Sequence, residues 1–341
     1  MATPTSAGQI DGQEVHRITL TGAQGLRAEI LTYGARLAAL WVPDRTGALA
    51  DIVLGYDALS DWRDRGGYLG ATCGRYSNRV AGGRLVLDGR TVQLDQNEGA
   101  QHLHGGRAGL DSKCWQIEDF SDQHAILTTR SPDGEMGYPG TLTARVTYRI
   151  EGVGLRITME AQTDAPTPVN LVNHAYFNLA GHGSGDVLRQ ELQVEANFYL
   201  PVDDRLIPTG EVLTVGDTAF DFRSLRPIGA RLPGPAGFDH NLCLSAPTGA
   251  DGLRPCLRAR DPVSGRQMRL STTEPGLQLY TGAHFDGSPG KGGARYPRFA
   301  GFAAETQRFP NSPNMPHFPS ARLDPCETYR HVMLFDLTPD C

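Results

Sequence analysis

The sequence predicts an all-β fold, and three observations carry that prediction. First, 41 glycines and 23 prolines among 341 residues make about a fifth of the chain turn-forming, against the ~12% usual in globular proteins. Second, polar and apolar residues alternate with period two in many short segments, the pattern of half-buried strands. Third, helical periodicity is weak everywhere; only residues 57–63 carry enough of it for one or two turns. Strand patterns spaced ~8–12 residues apart, with no helices between them, indicate a sandwich or barrel and not a parallel α/β sheet.

In chain order, strands are expected at 27–32, 37–42, 83–87, 91–94 and 125–129. The clearest pair follows. Leu142, Ala144, Val146, Tyr148 and Ile150 alternate with Thr141, Thr143, Arg145 and Arg149. After a Glu-Gly-Val-Gly turn, Leu155, Ile157, Met159 and Ala161 alternate with Arg156, Thr158 and Glu160. Two such runs across a glycine-containing turn make a hairpin. Further strands fit 267–271, 276–281 and 329–337. The longer polar segments, 71–83, 95–109, 170–185, 237–242, 286–297 and 305–319, are expected as loops, where rigid sheets usually carry their chemistry. Length alone suggests two domains, but no linker, charge run or internal repeat interrupts the chain, so one domain over 1–341 is expected.

Composition excludes several function classes. A net charge of −6, from 32 basic and 38 acidic residues, leaves no electrostatic footprint for nucleic acid. No run of ~18 apolar residues exists to span a membrane. The first residues, MATPTSAGQIDGQE, lack the layout of a secretory signal, which points to the cytoplasm. Cys73, Cys114, Cys243, Cys256, Cys326 and Cys341 form no CxxC pair and are expected to be reduced core thiols.

Histidine suits proton transfer near neutral pH. His102 and His104, in QHLHGG, share a face of any extended segment; they read as a metal-binding or a solvated pair, with no further ligand evident. His174 lies in NLVNHAYFN (170–178). It reads either as a core histidine or as part of a polar ligand site, because three asparagines and a histidine are costly to bury without partners. Glu305 ends the small-residue run of FAGFAAETQ (299–307), as a plain carboxylate at a strand end or as a rigidly mounted base. Asp239 in GFDHN, and Asn78 with two arginines in CGRYSNR (73–79), are suited to grip neighbouring hydroxyls. GxSxG, HExxH, P-loop and dinucleotide-binding motifs are absent, and the glycine-rich GSPGKGG (287–293) lacks phosphate-loop spacing. The residues therefore point to an all-β enzyme or binder for a polyol.

Six blocks in order, GRYSNRVAG (74–82), LHGG (103–106), NHAYFNLAG (173–181), FDHN (238–241), GLQLYT (276–281) and ETQRFP (305–310) followed by Asn314 and Pro316, resemble the aldose 1-epimerase, or galactose mutarotase, family. The resemblance implies a large antiparallel β-sandwich (supersandwich) with an open sugar cleft. It also implies interconversion of the α and β anomers of free aldoses such as galactose and glucose, with no cofactor and no metal. By position, Glu305 matches the general base and His174 the general acid. His104 matches a histidine near the ring oxygen, and Asn78, Arg79, Asp239 and Gln278 match positions that hold hydroxyls; His102 carries no role. A working acid would need surroundings that favour the imidazolium of His174. The chain departs from the family pattern at Thr281-Gly-Ala-His284 and at Arg308. The implied partner is a monosaccharide, and the chain would be a monomer or homodimer. Two alternatives stay open: an epimerase for a phosphorylated hexose held by Lys291, Arg295 and Arg298, and a non-catalytic sugar-binding module.

Overall fold

A computed structural model describes residues 3–339. Three antiparallel sheets dominate it. The largest has nine strands in the order Gln116–Phe120, His124–Ser131, Leu142–Glu151, Gly154–Thr163, Tyr329–Asp336, Gln267–Thr272, Arg254–Arg260, Glu191–Val194 and Arg226–Pro227. A six-stranded sheet runs Tyr176–Phe177, Phe302–Gln307, Gly276–Tyr280, Asp239–Leu244, Ala196–Tyr199 and Leu213–Thr214. A five-stranded meander is built from Thr5–Ile10, Gln13–Thr21, Arg27–Leu31, Arg36–Pro43 and Leu49–Asp51.

The expected hairpin forms the centre of the large sheet. Leu142–Glu151 pairs with Gly154–Thr163 in a register that places Ile150 opposite Leu155, and Gly152 takes a left-handed φ of 63° in the turn. Leu142, Ala144, Val146, Tyr148 and Ile150 are all buried; each large apolar side chain among them contributes roughly 1.5–3 kcal/mol by leaving water. The C-terminal strand Tyr329–Asp336 then inserts between Gly154–Thr163 and Gln267–Thr272. The largest core joins all three sheets, with Ile18 and Leu20 from the meander, Ile157 from the large sheet, and Leu242, Leu277 and Phe302 from the six-stranded sheet.

Several expectations shift. The helix covers Leu59–Asp64 and anchors through buried Trp62, whose ring packs edge-on against Tyr56 at 5.3 Å. The segments read as loops at 237–242 and 305–319 begin as the strands Asp239–Leu244 and Phe302–Gln307. Of the cysteines, Cys73, Cys114, Cys243, Cys256 and Cys326 are unpaired, but only Cys73 and Cys256 are fully buried and Cys326 is exposed; Cys341 lies outside the described residues.

Candidate active site

The six-stranded sheet has one apolar and one polar face, and period two separates them. Leu242, Leu244, Leu277, Leu279, Phe302 and Ala304 enter the core. The intervening residues Asp239, Asn241, Gln278, Tyr280, Glu305 and Gln307 share the opposite face, with Asn241 opposite Gln278 and Gln278 opposite Glu305. Loops roof that face and leave a cleft of 190 Å³ lined by Tyr68, Asn78, Arg79, His104, His174, Tyr176, Asp239, Tyr280, His284 and Glu305. Drug-sized pockets run to ~300–1,000 Å³, so this one suits a small ligand. A larger cavity of 600 Å³ opens beside Asp11, Lys113 and Arg130, but no histidine lines it.

At the cleft floor, Glu305 Oε1 lies 3.4 Å from His174 Nε2. Glu305 is 2% exposed and His174 4%. His174 sits between the short strands Val172–Asn173 and Tyr176–Phe177 and is fixed through its backbone, its N–H donating to Ala71 O at 2.8 Å and its carbonyl accepting from Gly70 N–H at 2.9 Å. Glu305 Oε2 and His174 Nδ1 are buried without a hydrogen-bond partner. Burial, reinforced by the Asp239 charge, pushes the Glu305 carboxyl well above its ordinary range. Burial pushes the His174 imidazole down. The expected surroundings favouring an imidazolium are therefore not found: Glu305 is in contact, yet burial holds the ring towards its neutral form. Burial thus favours a proton on the carboxyl over one on the imidazole.

His104 adopts a left-handed φ of 50°, and Gly105 follows because a Cβ there would stand 1.7 Å from Gly74 O. This turn presses the His104 ring against Tyr68 at 4.6 Å and His174 at 5.2 Å. Its Nδ1 accepts the Asn78 N–H at 3.3 Å, and burial keeps the ring neutral, so Nε2 carries the proton as a donor.

The hydroxyl-gripping groups form one chain. Arg79 donates two bonds to Glu98, at 2.6 and 2.7 Å, and its Nη1 stands 3.8 Å from Asp239 Oδ2. Asp239 Oδ1 accepts from Gln278 Nε2 at 2.6 Å, whose Oε1 accepts from Gln307 Nε2 at 3.3 Å. Gln278 is not among the cleft-lining residues; it stands behind Asp239 and orients it. Sequence reasoning missed Glu98, Tyr68, Tyr176, Tyr280 and His284. Tyr176, Tyr280 and His284 lay within or beside quoted blocks, whereas Tyr68 and Glu98 carried no signal.

Over residues 16–336 the chain matches the family described as aldose 1-epimerase. It belongs to the aldose 1-epimerase family. It is 44% identical to the galactose mutarotase of Bos taurus over 313 residues, 91% of this chain and 90% of that protein. Among solved structures it resembles the GalM/aldose epimerase homologue from C. elegans, with TM-score 0.89 and 31% identity over 96% of this chain and 100% of that one. The galactose 1-epimerase of Lactobacillus acidophilus gives TM-score 0.85 at 27% identity, covering 100% and 99% of the two chains. The large antiparallel β-architecture is thus the aldose epimerase fold.

Within this family member several polar candidates turn out to be frame. Arg75 is buried and spends its guanidinium on Ser131, Pro132, Pro139 and Gly140. The three asparagines beside His174 are internally bonded: Asn170 to Ser77 O, Asn173 to Gly70 O and Tyr148 Oη, and Asn178 to Gly185 O and Ala300 O. Only His174 of that segment's polar group faces the cleft. His102 is likewise structural, its ring bonded to Asp95 O at 2.6 Å and Tyr138 Oη at 2.5 Å. The left-handed residue at 104 breaks the alternation that would have put both histidines on one face. The basic trio is dispersed: Lys291 pairs with Asp51 at 2.5 Å, Arg295 bonds Gly287 O, and Arg298 bonds Pro235 O.

One ligand atom each from His104, His174 and Glu305 falls within 4.8 Å of the others, close enough to surround a cation. The supporting contacts are wrong for ligation. A metal-bound imidazole usually donates its second N–H to an acceptor, but His104 Nδ1 faces a donor and His174 Nδ1 faces no acceptor. Exhaustive chelation is expected to leave activity unchanged; a loss restored by zinc would overturn this.

Proposed function

We propose that the chain interconverts the α and β anomers of free aldoses, galactose and glucose among them, by acid–base ring opening and reclosure. One observation carries the reading: a buried carboxylate–imidazole contact of 3.4 Å at the floor of a cleft ringed by Asn78, Arg79 and Asp239. Opening the ring needs a proton taken from the C1 hydroxyl and one delivered to the ring oxygen. Glu305 takes the first and His174 supplies the second, leaving a neutral imidazole and a protonated carboxyl around the open aldehyde. After rotation about C1–C2 the transfers reverse, so no net proton is consumed. Burial favours that intermediate charge state. Binding must return the proton to His174 before opening, and polar sugar hydroxyls beside Glu305 favour its ionised form. Asp239 and Arg79 hold the distant hydroxyls while C1 turns, and His104 donates Nε2–H near the ring oxygen.

Substrate charge follows from the cleft. Arg79, the one arginine or lysine lining the cleft among the described residues, is already bonded to Glu98 and faces Asp239, and Lys291, Arg295 and Arg298 are engaged elsewhere, which favours neutral sugars over phosphorylated ones. A pure binding module would have no use for two buried groups lacking hydrogen-bond partners, which are costly to maintain. We further read 1–341 as one domain, monomeric or homodimeric. Unpaired thiols among the described cysteines fit a reducing cytoplasm, and no helix of the described residues is long and apolar enough to cross a membrane.

Polarimetry on freshly dissolved α-galactose and α-glucose tests the proposal. Optical rotation should relax at a rate proportional to protein concentration. Relaxation at the buffer rate with both sugars would refute it, and selective acceleration of a hexose phosphate would transfer it to the phosphorylated substrate.

A further inference from the structure

Among the polar groups of the cleft that have no part in this scheme, one imidazole stands out. His284 lies at the rim, past the end of the strand Gly276–Tyr280. Its imidazole is stacked on Tyr280, with ring planes 11° apart, and packs against Phe285 at 4.1 Å and Tyr176 at 5.8 Å. Tyr280 also bears on the tautomer. The phenol oxygen accepts the backbone N–H of His284 at 3.3 Å and lies 2.7 Å from Nδ1; with one side of that oxygen taken by the N–H, we assign its hydrogen to Nδ1. Nδ1 is then an acceptor, so the neutral ring bears its proton on Nε2. Among the described residues nothing accepts that N–H. Nε2 stands 3.4 Å from where a Cβ on Gly67 would lie, and Gly67 is itself a lining residue. The absence of a side chain at 67 keeps the approach to Nε2 open on the cleft side.

We propose that His284 is a further substrate-contacting residue, donating Nε2–H to one sugar hydroxyl at the rim, with Tyr280 as the positioning residue that holds its tautomer. The inference rests on the aldose reading above and refines its specificity. Contacts with three aromatic rings limit the freedom of the imidazole, so little is lost when the hydroxyl is bound. The contact is placed on a rim hydroxyl and not on C1 or the ring oxygen, where Glu305 and His174 act. It therefore acts in the ground and transition states alike and is read in KM more than in kcat.

The test measures kcat and KM of wild type, His284→Phe and Tyr280→Phe on the parent aldose and its 2-, 3-, 4- and 6-deoxy derivatives. Phenylalanine at 284 keeps the stack and removes the donor. It should raise KM for the parent sugar by roughly 3- to 10-fold, as for loss of one neutral hydrogen bond, with kcat within about 2-fold. Wild type should discriminate against one rim deoxy sugar by a similar factor. His284→Phe should lose discrimination against that sugar alone, because the hydroxyl and its donor are lost as a pair. Tyr280→Phe frees the tautomer and should give a smaller rise in KM, with no added effect in the double variant. An unchanged KM in His284→Phe, or an equal loss across all five sugars, would overturn the proposal. Failure of wild type to accelerate mutarotation would instead sink the proposed function.

Discussion

Replacing Glu305 with glutamine is expected to lower kcat by ~10²–10⁴-fold, the usual contribution of a positioned acid or base, while the protein stays folded and still binds sugar. The amide keeps the shape of the side chain and its place in the register opposite Gln278, so the sheet face is unchanged. It cannot take the C1 proton. Stability should hold or rise, because the carboxyl is buried with Oε2 unpartnered and its ionisation opposed by desolvation and Asp239. Sites of this kind commonly sacrifice stability for function. Single-turnover polarimetry with a thermal melt on the same sample separates the two effects. Retention of more than about a tenth of wild-type turnover, in a folded variant, would remove Glu305 as the base.

Two strands that build the site, Asp239–Leu244 and Phe302–Gln307, were hidden in the sequence for a physical reason, although Thr5–Ile10, Gln13–Thr21, Gln116–Phe120 and Arg254–Arg260 were missed away from it as well. Leu142–Glu151 was legible because one face meets the core and the other meets solvent, the condition that produces alternation. Phe302–Gln307 is buried on both faces, so its FAAETQ shows no polar–apolar contrast with water. Asp239–Leu244 begins with Asp-His-Asn because Asp239 and Asn241 lie on the sheet's polar face, and three polar residues in a row resemble a turn. Local propensity misleads where function sets the residue. The motif blocks nonetheless located Glu305, His174, His104, Asn78, Arg79 and Asp239, all of which line the cleft. Glu98 was not legible, because its role is to hold Arg79 and only the fold shows which carboxylate reaches it. The asparagines of 170–178 stayed open in the sequence, since composition cannot tell a buried amide that bonds backbone from one that awaits a ligand.

The pH profile should expose how the proton is shared, and substitution of His174 should invert it. In the free enzyme the carboxyl titrates above its ordinary value and the imidazole below its own. The active form holds one proton between them, and its two macroscopic titrations belong to the pair. On lowering the pH, a second proton reaches the imidazole only well below 6.5, so kcat/KM should stay level across mildly acidic pH before it falls. On raising the pH, the shared proton leaves the carboxyl, and with it the acid needed for the ring oxygen; kcat/KM should then decline on the alkaline side. His174→Asn is expected to cost ~10²–10⁴-fold in kcat, with KM far less affected, since proton donation acts mainly in the transition state. Its residual activity depends on ionised Glu305 alone, whose pKa remains raised by burial. Residual rates should therefore climb with pH through that titration, where wild type declines. Measuring kcat/KM from acid to alkaline pH in both proteins decides the matter. If the variant keeps the wild-type alkaline decline, the proton donor is not His174, and His104, 5.2 Å away ring to ring, is the next group able to serve.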